Sequence, residues 1–293
     1  MTQQAHMEFN YIYVVQSLQP GDAETGTHLH RDALMKLVAD LRQAGGQIDA
    51  EVVAVNDLAD LFTFLGRVRD EVRDLGRFPI LHLEIHGSSD KSGLVLTSGD
   101  YVAWEDLVPA LTAINFLMKN NLLVTLAVCS GAYLAQILRA TRPAPLWGLV
   151  GPHDTEYDDV LLAGYKAFYE AFLKELDGRK AIRALRAATE VSGQAKYLFF
   201  DAEQTFKKGF RAYIEDKCNP TAVDERVKGI MAKARGVTTL APEQVALITS
   251  NIRNRMLDPR PSFDEYRRIH FMIDDYPEND ARFPMTFEEV MAN

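Results

Sequence analysis

The chain has 293 residues, 47% of them hydrophobic and 25% charged, and carries a formal net charge of -9. Such a balance suits a globular protein with one sizeable core and an appendage, or two small domains. It speaks against a nucleic-acid partner, because the net negative charge repels a phosphate backbone and no basic cluster interleaved with aromatics offsets it.

The start, Met1 to Met7, is polar, and the first apolar stretch, Tyr11 to Val15, is too short for a signal-peptide core or a membrane span. The longest apolar stretch, Leu122 to Leu138, is interrupted by Cys129, Ser130, Gly131 and Gln136 and reads as strand, turn and helix. A cytoplasmic protein without membrane contact is expected. Only Cys129 and Cys218 are present, so no structural disulfide is expected and both thiols should be reduced.

Tyr11 to Val15 predicts a first strand, followed by a polar loop from Gln19 to Thr27 and a helix with Leu34, Leu37, Val38 and Leu41 on one face. Gly45-Gly46 closes that helix. Ile48 to Val55 predicts a second strand, and Leu58 to Val72 a second helix carrying Leu61, Phe62, Phe64, Leu65 and Val68. The third strand, from Ile80, ends in His86-Gly87; Gly93 to Val102, with the turn signal Gly99-Asp100, predicts an inserted hairpin. Helical spacing returns over Trp104 to Asn120, and Leu122 to Val128 predicts a strand ending in Cys129-Ser130-Gly131.

A helix over Ala132 to Ala140, a Pro-rich turn at Arg142 to Pro145, a strand over Leu146 to Val150 and a helix over Val160 to Leu173 follow. Alternating strands and helices of this length imply an α/β fold, a mainly parallel sheet flanked by helices. From Ala181 onward strand signals fade. Helices are expected at Ala181 to Val191, Ala195 to Asp216, Ala222 to Ala234 and Pro242 to Leu257, and the last stretch, with Pro259, Pro261, Pro277 and Pro284, reads as an irregular arm. The expected division is therefore an α/β domain over 8–180 and a helical C-terminal extension over 181–293.

His86 and Cys129 each end a strand-like apolar run, and a parallel sheet delivers both to one carboxyl edge. An imidazole there can serve a thiolate nucleophile, which a helix start would favour further. Backbone N–H groups at Gly87 and Cys129 are candidates to hold a developing oxyanion, and a glycine after the histidine would let a ligand approach closely. Substrate contacts are expected from two loops at the same edge. One follows the first strand, Asp22 to His30, and includes His28; the other, Gly151 to Asp159, offers Asp154 or Glu156 to a Lys or Arg side chain.

An apolar strand ending His-Gly, a polar hairpin, a helix, and an apolar strand ending in Cys with Gly two residues later together resemble the caspase-like cysteine peptidases. The Cys-Ser-Gly version is closer to the CHAT and separase branch than to caspases proper. The resemblance spans about Tyr11 to Leu173 and implies a caspase-hemoglobinase fold with His86 and Cys129 as a catalytic dyad: Cys129 attacks the peptide carbonyl, His86 protonates the leaving amine and later activates water.

Caspases carry Gln-Ala-Cys-Arg-Gly where this chain has Ala127-Val128-Cys129-Ser130-Gly131, so a preference for aspartate does not transfer. With only Thr141 to Pro145 after the cysteine helix, no cleavable linker is evident, and control by a partner protein or effector is expected. By analogy alone, a bacterial defence or cell-death setting is implied.

Two other readings stay open. A catalytically silent module of the same fold would bind a peptide or partner in the same cleft. His82, Glu84 and His86 alternate along one strand and so share a face, a spacing that could hold a metal, with His28 and His30 as further ligands. The leading reading needs no metal and no cofactor, and takes His82 and Glu84 as a satisfied buried polar pair or a neighbour of His86. Cys218 is read as packing.

Overall fold

Seven consecutive buried residues, Tyr-Ile-Tyr-Val-Val-Gln-Ser, make β1 (Tyr11–Ser17), the kind of run that a strand covered on both faces requires. The computed structural model describes residues 9–175, 177–190, 197–235 and 241–292, so the polar start and the ends of two expected helices, at Val191 and at Ala195, lie outside the described residues. After β1 the chain forms α1 (Thr25–Leu29), a π turn (His30–Leu34), α2 (Met35–Gln43) and β2 (Asp49–Ala54). Asp57 caps α3 (Leu58–Leu75) by accepting from the Asp60 N–H, and Gly76 ends it in the left-handed region at φ 62°.

β3 (Pro79–Gly87) follows, then the hairpin β4 (Gly93–Val95) and β5 (Tyr101–Ala103), α4 (Trp104–Leu117), β6 (Leu123–Leu126), a 3-10 helix (Gly131–Ile137), β7 (Gly148–Pro152), α5 (Asp158–Glu175), α6 (Gly178–Thr189) and β8 (Tyr197–Asp201).

The strands lie in the order β2-β1-β3-β6-β7-β8, with β4 and β5 attached to the end of β3. Every neighbouring pair from β2 to β7 is parallel, and β8 closes the edge antiparallel to β7. One face packs Tyr13, Leu81, Leu83 and Val124 against Phe64, Leu65 and Val68 of α3 and Leu107, Leu111 and Ile114 of α4. The other packs Ile12, Val14, Ile80 and Leu123 against Leu34, Leu37, Tyr165, Phe168, Tyr169 and Leu185. The α/β class expected from the sequence holds: a mainly parallel sheet flanked by helices, followed by a helical C-terminal region. Among the described residues no helix is long and apolar enough to cross a membrane.

Three expectations change. Tyr197–Asp201 is a strand rather than the head of a helix: Tyr-Leu-Phe-Phe has strong strand character, and backbone pairing with β7 realises it. The expected helix over Ala132 to Ala140 is a 3-10 helix of 7 residues. The supposed irregular arm folds into three helices, Arg260–His270, Glu278–Arg282 and Phe287–Met291, and Pro261 sits in the first turn of the first of them, where a missing N–H costs nothing.

The chain divides into two compact units. One compact unit runs through residues 1–138 and 144–202, and the second comprises Arg139–Pro143 and Glu203–Asn293. α6 and β8 belong to the first unit because α6 packs beside α5 and β8 extends the sheet. The second unit contains nearly all of α7 (Ala202–Lys217), then α8 (Pro220–Arg235), α9 (Pro242–Leu257), α10 (Arg260–His270), α11 (Glu278–Arg282) and α12 (Phe287–Met291). Its core is a cluster of aromatic rings, Phe206, Phe210, Phe263, Phe271 and Phe283, and it contains Cys218.

Candidate active site

Strand order places a crevice between β1 and β3. The chain leaves β1 toward β2 on one side and leaves β3 toward β6 on the other, and the loops that diverge at such a point leave room for a ligand at the carboxyl ends of the strands. The loop after β1 and the His86-Gly87 end of β3 lie at this place.

Register decides whether His86 and Cys129 meet. β3 and β6 pair in parallel as Ile80↔Leu123 through Leu83↔Leu126, and the Ala127 N–H continues the ladder onto the Leu83 carbonyl at 2.8 Å. There the ladder ends: β6 stops at Leu126, β3 runs on to Gly87, and Cys129 lies in the turn that follows β6. Side chains alternate along both strands: Leu83 and Leu126 pack with α3 and α4, whereas His82 and Thr125 point to the α5 face. By that alternation His86, within β3, projects to the α5 face, while Cys129 follows β6 in a turn. His86 is exposed and Cys129 half-buried, so solvent reaches both.

Gly87 confirms the close approach of the two strand ends. A methyl placed on it would overlap the Cys129 carbonyl oxygen. The sequence suggested that glycine was needed for a ligand; here it is the chain's own Cys129 backbone that comes close.

The turn after Cys129 is sharp, with Ser130 at φ 57°. Its Gly131 N–H donates to the Val128 carbonyl at 2.9 Å and its Ser130 N–H to the Asp154 carbonyl at 3.2 Å. Gly87 lies next to Ser88, whose N–H donates to the Gly93 carbonyl at 2.9 Å across the hairpin. Bonded pairs alternate in an antiparallel ladder, so the Gly87 N–H turns away from the hairpin, to the β6 side. Because the 3-10 helix is short, the helix-start field expected to favour a thiolate at Cys129 is weak.

Asp22 is the residue that sequence reasoning missed; it appeared only as the first position of a loop. Its Oδ2 accepts from His86 Nε2 at 2.6 Å and from the Gln19 N–H at 2.6 Å. The hydrogen bond from His86 is the main reason its carboxyl is held below the usual carboxylate range.

The other sequence candidates separate. Glu156 is buried, and burial first, with Glu156 after it, raises the hydroxyl of the buried Tyr197. Asp154 is exposed and held by His153 at 3.1 Å and Lys91 at 3.7 Å; Lys91 in turn lies over the Tyr133 ring. The hydrogen bond from His153 pushes the Asp154 carboxyl down. His28 lies within α1, with Arg31 at 2.7 Å and Asp32 at 3.7 Å as its partners, and no described contact joins it to His86 or Cys129.

His82 and Glu84 do not form a pair. Residues two apart on a strand stand roughly 7 Å apart, so each is served by whatever packs over it. His82 Nδ1 bonds the Thr125 hydroxyl at 2.8 Å, which also bonds the Tyr169 hydroxyl at 2.9 Å, and burial pushes the imidazole down to about 3. Glu84 accepts from Gln16 Nε2 at 2.8 Å and from the Thr25 hydroxyl and Gly26 N–H; burial raises its carboxyl despite these bonds. Among the described residues no three His, Cys, Asp or Glu side chains form a metal-holding group, so the His82, Glu84 and His86 spacing does not converge on one point.

No family model matches the chain, and no curated protein matches it significantly. Among solved structures it is similar to the crystal structure of caspase-1 from Spodoptera frugiperda, at 12% identity and a TM-score of 0.43, over 69% of this chain and 88% of that one.

Proposed function

We propose that the chain is a cysteine endopeptidase that cleaves protein or peptide substrates with His86 and Cys129. The observation that supports this reading is the close approach of the His86-Gly87 end of β3 to the Cys129 backbone at the carboxyl edge of β3 and β6, with His86 exposed and Cys129 half-buried. With His86 Nε2 engaged by Asp22, Nδ1 is the nitrogen left to exchange a proton with the sulfur. The Cys129 sulfur attacks the carbonyl carbon, His86 takes the thiol proton and delivers it to the departing amine, and the resulting thioester is cleaved by a water that His86 deprotonates. Backbone N–H groups at Gly87 and Cys129 hold the oxyanion in this scheme.

Within the same reading Glu156 selects a Lys or Arg side chain before the cleaved bond. It is favoured over Asp154 because it is buried, whereas Asp154 is exposed and taken by His153 and Lys91. Activation by cutting between two subunits is not part of the proposal, since Ala140 and Ala144 of the short connecting segment are buried. A partner protein or effector is the control this leaves.

A peptidyl chloromethyl ketone with Lys or Arg next to the warhead tests the proposal, read by mass spectrometry. Selective modification of Cys129 over Cys218, lost in His86→Ala, is the expected result. Cys218 is a fit internal control because burial raises its thiol. Equal labelling of the two cysteines would replace the enzyme with a silent binding module.

A further inference from the structure

We propose that Asp22 is the positioning residue for His86, presented by a loop that Thr97 grips at one end and Glu84 at the other. The inference rests on the dyad reading above and extends it to a third side chain.

An isolated pair of exposed charges contributes little, because solvent screens it and two side chains must be ordered. Asp22 differs in how its loop is held. At the outgoing end of β1, the Thr97 N–H donates to Ser17 Oγ at 2.9 Å, the Thr97 hydroxyl to the Leu18 carbonyl at 3.1 Å, and Gln19 Nε2 to the Thr97 carbonyl at 2.9 Å. At the far end, Glu84 receives the Thr25 hydroxyl and the Gly26 N–H, and any side chain at Gly26 would collide with that carboxylate. Gln16 joins the two ends, since its Nε2 reaches Glu84 and its Oε1 accepts from Thr27 at 2.9 Å.

Asp22 sits between these grips, and the Asp22 N–H closes the loop on the Gln19 carbonyl at 3.0 Å. Its carboxylate therefore reaches His86 without a large ordering cost at the moment of reaction. A carboxylate on Nε2 selects the tautomer with the proton there, aims Nδ1 toward the Cys129 side, and stabilises the imidazolium formed when the thiol gives up its proton. Glu84 and His86 stand two apart on one strand, so β3 supplies both the anchor of the loop and the group that the loop serves.

The test combines labelling by the same chloromethyl ketone with ¹⁵N NMR of the His86 ring. Asp22→Ala is expected to slow Cys129 labelling at pH 7 by about tenfold to a hundredfold, a partial loss of the roughly hundredfold to ten-thousandfold that a well-placed general base contributes. It should also turn the single Nε2–H tautomer into a mixture. Asp22→Asn keeps an acceptor without the charge and is expected to retain the tautomer with only part of the rate. Wild-type labelling and an unchanged tautomer in both variants would overturn the positioning role while leaving the dyad intact. Should His86→Ala also label like the wild type, the dyad fails, and the positioning role fails with it.

Discussion

Glu84 offers the sharpest physical test, because two substitutions at this one position should part widely. It is 3% exposed and accepts from Gln16 Nε2, the Thr25 hydroxyl and the Gly26 N–H. Glu84→Ala removes the acceptor of all three donors. The Thr25 hydroxyl can rotate to another partner, but the Gln16 amide and the Gly26 N–H remain buried and unsatisfied, at about 1–3 kcal/mol each. Removing a buried carboxylate returns part of that, which leaves a loss of about 3 kcal/mol, or roughly 6–12 °C in Tm for a unit of this size.

Glu84→Gln keeps the shape. With its amide oxygen at the Gln16 and Gly26 position, its NH₂ faces only Thr25, whose hydroxyl can turn to accept. A Tm within about 3 °C of wild type is expected. The pH dependence adds a second reading of the same pair. Burial raises the Glu84 carboxyl in the folded state, so the folded chain binds its proton more tightly than the unfolded chain does. Its contribution to stability therefore falls as pH rises from the ordinary carboxylate value through the raised one. The wild type minus Glu84→Gln difference isolates this slope from Asp22 and Asp154, whose lowered values act in the opposite direction. Thermal unfolding between pH 4 and 8 measures both, and equal losses for Ala and Gln, or a flat difference with pH, would refute the reasoning.

Thr125→Val is isosteric yet strips the hydroxyl shared by His82 and Tyr169, both buried, so a loss of about 2–4 kcal/mol is expected in thermal or urea unfolding, with Thr125→Ser much milder. A neutral Thr125→Val would mean that those groups find other partners. Gly87→Ala forces the β3 end and the Cys129 turn apart, since the added methyl meets the Cys129 carbonyl. It should cut selective labelling of Cys129 by more than about tenfold with both dyad residues in place, and a wild-type rate in this variant would show that the close approach of the two strand ends does not matter.

Hydrophobic periodicity and strand-end dipeptides were enough to read the α/β alternation, the His86-Gly87 and Cys129-Ser130-Gly131 ends, and the hairpin between them, because these depend on local patterns of two to four residues. β8 was not legible: Tyr197-Leu-Phe-Phe becomes a strand only by pairing antiparallel with β7, a long-range partner that no local window contains. The short 3-10 helix after Cys129 was not legible either, whereas the helix from Arg260 was obscured by prolines whose place in its first turn is compatible with a helix.

Within the site, chain patterning by itself determined which residue types could act and that two of them end neighbouring strands. Only the tertiary structure decided the close approach of Gly87 to the Cys129 backbone, the separation of Glu156 from the ion-paired Asp154, and the arrival of Asp22 at an imidazole 64 residues away. The reason is physical: side-chain identity is written along the chain, whereas the meeting of distant groups is set by strand order and by the buried hydrogen bonds that hold a loop in place.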